Sequence, residues 1–241
     1  MKKVVLILII LVSLLLTGCV LDEYLDKMKD EDTNDISVVE EYLPSPISGT
    51  TRNWHSEIQN NVTGTTDTSS FTETITDPVT IGEHDYYTIT DSREMASRKF
   101  CVEDNGIYFL IESTMFPVLG TNPDTPFNTN AMFFDFSGKH VSEYDIVDWG
   151  TEIEDYYINY YFKGIFIGYE SVVTDKGNNY LCPKFQITYE TIFTPKETGD
   201  TTHYKRVERY WFAPGIGRIK KTIDIYEESV LTTSEVDMLI E

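Results

Sequence analysis

The sequence predicts an all-β fold, or a β-rich α+β one, in which an antiparallel meander forms a curled sheet or half-barrel. Three observations carry this expectation. From Phe71 onward the chain runs in short segments rich in Tyr, Phe, Ile, Val and Thr, separated by turn residues. Within them apolar and polar positions alternate. Phe185, Ile187 and Tyr189 stand against Gln186, Thr188 and Glu190, and Ile219, Ile223 and Ile225 against Lys220, Thr222 and Asp224; this is the period of a sheet with one wetted face. No amphipathic helical period of the length an α/β fold needs is visible.

Taken from the N-terminus, Lys2 and Lys3 precede the apolar run Val4–Leu16, which is too short to cross a hydrocarbon core of about 30 Å as a helix. The run closes on Leu16-Thr17-Gly18-Cys19. These four residues resemble the lipobox of bacterial lipoproteins. The resemblance implies a signal peptide over residues 1–18, cleavage before Cys19, diacylglycerol on its sulfur, and an extracytoplasmic protein anchored by lipid at the cell membrane or outer membrane. Residues 19–69 are expected to be a tether. Asp and Glu dominate Asp22–Glu41, and the nine threonines over residues 50–76, with little apolar bulk until Phe71, fit either a linker or the exposed face of a first strand. A β domain over 70–241 comes next, with Trp54 placed to dock onto it.

Inside that domain the expected strands are Phe71–Thr76, Tyr86–Thr90, Arg98–Val102, Ile107–Ser113 and Met132–Phe136, with Glu103-Asp104-Asn105-Gly106 as a hairpin turn. Tyr156–Phe162 and Ile165–Thr174 flank Lys163-Gly164 as a further pair. Tyr180–Thr194, His203–Phe212 and Arg218–Val230 continue the meander, and Ser229–Glu241 is a short helical tail or a last strand.

The formal charge of −21 becomes −23 once the segment holding Lys2 and Lys3 is removed. Such an acidic chain repels phosphate backbones, which excludes nucleic acid as the expected partner and leaves the acyl chains as the membrane contact. After Cys19 the remaining cysteines are Cys101 and Cys182. In an exported chain such an even pair is one disulfide or two buried thiols, and sequence does not give the Cα spacing that decides between them.

Catalytic and cofactor signatures are absent: no nucleophile elbow, P-loop or dinucleotide fingerprint occurs. No enzyme activity and no cofactor are expected. Asp30, Asp32, Asn34 and Glu41 take the spacing of a calcium loop, but Asp35 replaces its turn glycine and Ser37 its closing apolar residue. His55, His84, His140 and His203 lack metal-ligand spacing, so no metal is expected. The candidate binding surface is the aromatic group Tyr156, Tyr157, Tyr160, Tyr161, Phe162 and Tyr169. In a strand Tyr156, Tyr160 and Phe162 share one face and Tyr157 and Tyr161 the other, so either one face packs in a core while the other lines a groove for an acyl chain, sugar or peptide, or both are structural filling of a two-sided sheet.

The stretch from Trp149-Gly150 through Ile167–Thr174 and Lys184–Ile187 to Glu208-Arg209-Tyr210-Trp211-Phe212-Ala213-Pro214-Gly215-Ile216-Gly217-Arg218-Ile219-Lys220-Lys221 resembles a pattern of bacterial envelope lipoproteins. Pro214 fixes φ for a reversal, and Gly215 and Gly217 allow positive φ there. The resemblance covers the C-terminal third. It implies a half-barrel similar to the lipoprotein-localisation factors, whose concave face holds an acyl chain, and supplies no catalytic residue. The expected function is a non-enzymatic module binding a hydrophobic or extended ligand or an envelope protein. Its alternatives are an envelope assembly module without a small ligand and, more distantly, a hydrolase.

Overall fold

The computed structural model describes residues 42, 49–93, 97–103, 106–112, 115, 128–137, 142–153 and 155–240. Cys19, the signal peptide and the calcium-loop-like residues Asp30, Asp32, Asn34 and Glu41 lie outside them. Twelve strands follow in chain order: β1 (Thr51–Asn60), β2 (Thr65–Ile81), β3 (His84–Asp91), β4 (Ser97–Glu103), β5 (Gly106–Ile111), β6 (Thr129–Asp135), β7 (Tyr144–Ile153), β8 (Tyr156–Val173), β9 (Asn179–Pro195), β10 (Thr202–Ala213), β11 (Gly217–Glu227) and β12 (Val230–Ile240). They form one antiparallel sheet in the order β6-β5-β4-β3-β2-β1-β12-β11-β10-β9-β8-β7. Two six-stranded meanders are thus joined where β1 pairs with β12, Trp54 opposite Leu239.

The sheet curls into a nearly closed barrel. Its end strands, β6 and β7, meet where the Tyr144 hydroxyl donates to the Phe133 carbonyl at 2.7 Å. Phe134 of β6 packs edge-on against Tyr210 and Phe212 of β10, with ring centroids 4.9 and 5.2 Å apart, and against Phe185 of β9 at 5.5 Å. This aromatic contact across the interior is what curls the two meanders toward each other, since apolar faces on both halves leave water together.

Three features depart from the sequence expectation. The sheet begins at Thr51, so residues 51–69 are β1 and the start of β2, not tether, and Trp54 is fully buried on Phe71 at 5.9 Å. Tyr42 also packs into the core, stacked on Phe136 at 6.0 Å. Residues 65–70 are exposed on both faces, which is why their composition mimics a linker. They are held by pairing with β1 and by a turn in which the Asn60 side chain accepts from the Val62 and Thr63 amides.

Lys163-Gly164 is not a turn. β8 runs unbroken through it, bulging instead between Phe166 and Gly168. A Cβ at Gly164 would overlap the Tyr144 ring, so this glycine marks close approach across the sheet. Finally, β7 is a strand without a counterpart in the expected set, whereas β12 takes the last-strand alternative expected for the C-terminal segment. In the last reversal Gly215 and Gly217 take φ of 70° and 86°.

Candidate functional site

The lumen of the barrel is built by every second residue of its strands. On β10 Arg206, Glu208, Tyr210 and Phe212 point inward, on β11 Lys221 and Ile225, on β9 Tyr189 and Thr191, on β8 Phe162. Two cavities result. The larger, about 360 Å³, is walled by Phe109, Phe133, Phe134, Phe162, Tyr189 and Tyr204, and a smaller one of about 90 Å³ lies between Arg52, Glu73, Arg218 and Phe212. Arg98, Phe109, Phe134 and Tyr210 line both and so form the partition. The larger volume falls within the range of small-molecule sites, about 300–1,000 Å³.

Charge is distributed against the grain of the chain. Across the protein 19 basic residues face 40 acidic ones, yet the two cavities are lined by Arg52, Arg93, Arg98, Lys205, Arg206, Arg218 and Lys221 against only Glu73, Asp91, Glu208 and Asp237. At the larger cavity one carboxylate serves a group of cations. Glu208, 1% exposed, pairs with Arg206, accepts from the Tyr210 hydroxyl, and lies 3.5 Å from the Lys221 ammonium. Burial works against its ionised form, but Lys221, Arg206 and Arg98 outweigh it and hold the carboxyl far below the usual range. Lys221 is pushed down as well, by burial and by Arg98, Arg206 and Arg218, which outweigh Glu208. Burial is the larger cause for the ammonium and the cations are the cause for the carboxylate, with Arg98 and Arg206 acting on both. Tyr189 and Tyr210 are raised by burial and by Glu208 and stay protonated, so they present O–H donors.

The smaller cavity carries more charges of both signs. Arg218 pairs with Glu73, and Arg52 donates to the Ile216 carbonyl at 2.8 Å. Arg93 bridges Asp91 at 2.9 Å, Glu235 at 2.7 Å and Asp237 at 3.3 Å, with its guanidinium 3.3 Å from the centre of the Phe71 ring. These ion pairs close one end of the lumen.

The aromatic residues singled out from the sequence divide between the faces of β8. Tyr160 and Phe162 are buried in the core, where Tyr160 stacks on Trp149 at 5.4 Å and Phe162 meets Tyr189 at 4.9 Å. Tyr157 lies on the opposite face, 49% exposed beneath Lys196, and Tyr156 at the strand end is 45% exposed. Tyr161 shares the outer face of Tyr157, and Tyr169, beyond the bulge, meets the Phe166 ring edge-on at 5.5 Å. Of the group, Phe162 lines the larger cavity.

No disulfide joins Cys101 and Cys182. Both are free and buried, on β4 and β9, packed in different clusters. Pairing of the strands instead sets Cys101 beside Glu103 and His84.

The lumen cations have one signal in the sequence. Lys221 sits on the otherwise apolar face of Ile219 and Ile223, and Glu208 between the inward positions Arg206 and Tyr210, so a charge stands where the period calls for an apolar residue. Arg98 carries no such signal.

No family model and no curated protein matches this chain. Among solved structures, a candidate lipoprotein from Parabacteroides distasonis is 15% identical with a TM-score of 0.42, covering 83% of this chain and 97% of its own. A candidate exported protein with a YmcC-like fold from Bacteroides fragilis is 15% identical with a TM-score of 0.39, covering 81% and 97%. A DUF1329 family protein from Desulfovibrio piger is 11% identical with a TM-score of 0.28, covering 86% and 90%.

Proposed function

We propose that this protein is a lipid-anchored, extracytoplasmic binding protein whose lumen takes up one anionic amphiphile, a molecule with a single carboxylate or phosphate head and an apolar body. The lipobox-like segment ending at Cys19 supports the anchor and the compartment. The observation that carries the ligand class is the excess of cations over carboxylates inside an aromatic cavity of about 360 Å³. An apolar body gains about 25 cal/mol for each Å² it removes from water against Phe109, Phe133 and Phe134. An anionic head near Arg98 and Arg206 gains charge-assisted hydrogen bonds in a water-poor setting. Tyr204 and Ile225, 42% and 37% exposed, mark the entrance.

Binding fits the site better than catalysis. The buried carboxylate Glu208 is held ionised, the opposite of what a general acid requires.

The test is displacement of a fluorescent fatty acid from delipidated protein by a saturated carboxylate, the alcohol of equal chain length, and the amine. The expected order is carboxylate before alcohol before amine, with the margin between the first two reduced at least tenfold in Arg206→Met. Equal affinity for all three would leave an apolar pocket without anion recognition. No displacement, together with a stable complex with another envelope protein, would move the assignment to an assembly module.

A further inference from the structure

We propose that His84, Cys101 and Glu103 form a binding site for one divalent transition-metal ion of the borderline class, Zn²⁺ foremost, on the face of the sheet turned away from the lumen.

The site arises from strand register. Tyr87 of β3 lies opposite Phe100 of β4, so the alternate side of the same two strands carries His84 and Tyr86 on one and Cys101 and Glu103 on the other. The imidazole nitrogen, the thiol sulfur and a carboxylate oxygen all lie within 4.8 Å of one another. Cys101 Sγ is 3.5 Å from Glu103 Oε1 and 3.7 Å from Asn130 Oδ1, and His84 Nδ1 contacts Glu103 directly.

Three arguments favour a metal over a purely structural cluster. The first is spacing: tetrahedral bonds of about 2.1 Å to oxygen and about 2.3 Å to sulfur give an S···O edge of about 3.6 Å. Both sulfur–oxygen distances already match it, and only the His84–Glu103 contact has to open. The second is charge: with Cys101 as thiolate and Glu103 as carboxylate, two negative charges offset the divalent ion, with neutral His84 and the Asn130 carbonyl completing four ligands. Binding then releases one proton, from the Cys101 thiol. The third is setting: beside its apolar neighbour Leu110, the Cys101 sulfur also meets a carboxylate, a carboxamide and the Tyr86 phenol, polar groups that a purely structural cysteine does not need. The His84 ring is held edge-on to Tyr86 with centroids 6.0 Å apart. His84 and Glu103 are each about one-third exposed, so an ion reaches the site from solvent while Cys101 forms its floor.

The experiment is titration of the reduced, chelator-treated full-length protein with Co²⁺. The expected result is a sulfur-to-cobalt charge-transfer band in the near ultraviolet with intense tetrahedral visible bands at one equivalent, both abolished by Zn²⁺. Cys182→Ser keeps the band and Cys101→Ser removes it. His84→Gln, at a partly exposed position that does not threaten folding, weakens Co²⁺ binding at least tenfold. No charge-transfer band in the wild type, a band that survives Cys101→Ser, or unchanged affinity in His84→Gln overturns the proposal. The lumen ligand plays no part in any of these readouts.

Discussion

Glu208 and Lys221 lie diagonally across the β10–β11 pair with carboxylate and ammonium 3.5 Å apart, 1% and 6% exposed. Neither has water to turn to. Removing one partner of such a pair leaves an uncompensated buried charge, whose cost exceeds the pair's own net worth. Glu208→Gln is therefore expected to lower unfolding stability by about 3–5 kcal/mol, read by urea denaturation at neutral pH. A loss below about 1 kcal/mol would mean that the cations around it relax into solvent.

The same carboxylate sets an acid limit. Its folded pKa lies below its unfolded value, so between the two the unfolded chain binds more protons. The stabilisation is full at neutral pH and disappears as pH falls below the ordinary Glu value of about 4.3. Glu235, raised by burial and by Asp237, acts in the other direction, favouring the native state in acid and losing that contribution as pH rises through its folded pKa. Denaturation midpoints measured from pH 7 to pH 3 should decline steeply at the acid end in the wild type and be flatter in Glu208→Gln.

Closure of the sheet rests on Tyr144. Its hydroxyl bonds the Phe133 carbonyl, and its ring needs the bare backbone of Gly164. Tyr144→Phe should cost about 1 kcal/mol, and Gly164→Ala more, through overlap with the ring. Hydrogen exchange should rise first in β6 and β7; a uniform rise over the sheet would contradict a local seam.

Tyr157 is on the outside, so Tyr157→Ala should leave ligand displacement unchanged and stability within about 0.5 kcal/mol. Ile225→Trp, at the entrance, should instead block uptake. Reversed behaviour of the two variants would place the binding surface on the convex face.

Burial raises both Cys101 and Cys182 thiols to about 12, aided by Glu103 at the first and Glu170 at the second. Iodoacetamide at neutral pH should therefore leave metal-free native protein unlabelled and modify both after unfolding. Failure of the unfolded, unreduced protein to react would reveal a disulfide.

The sequence by itself determined what depends on short range. Strand alternation and the reversal at Pro214-Gly215 are local patterns, and local chemistry is enough to read them. Tertiary structure decided what depends on which strands become neighbours. Residues 51–69 look like linker because residues 65–70 bury nothing, and only pairing with β12 and β2 makes the segment sheet. Lys163-Gly164 has turn composition, but its glycine serves a ring that arrives from β7. His84 and Cys101 are unremarkable in spacing, and Arg98 is an ordinary strand arginine, until register aligns the first two and curvature turns the third toward Glu208. A sheet's side-chain period says which residues share a face; whether that face is lumen or exterior is fixed by how the sheet curls, and curling is the summed outcome of packing such as Phe134 on Phe185, Tyr210 and Phe212.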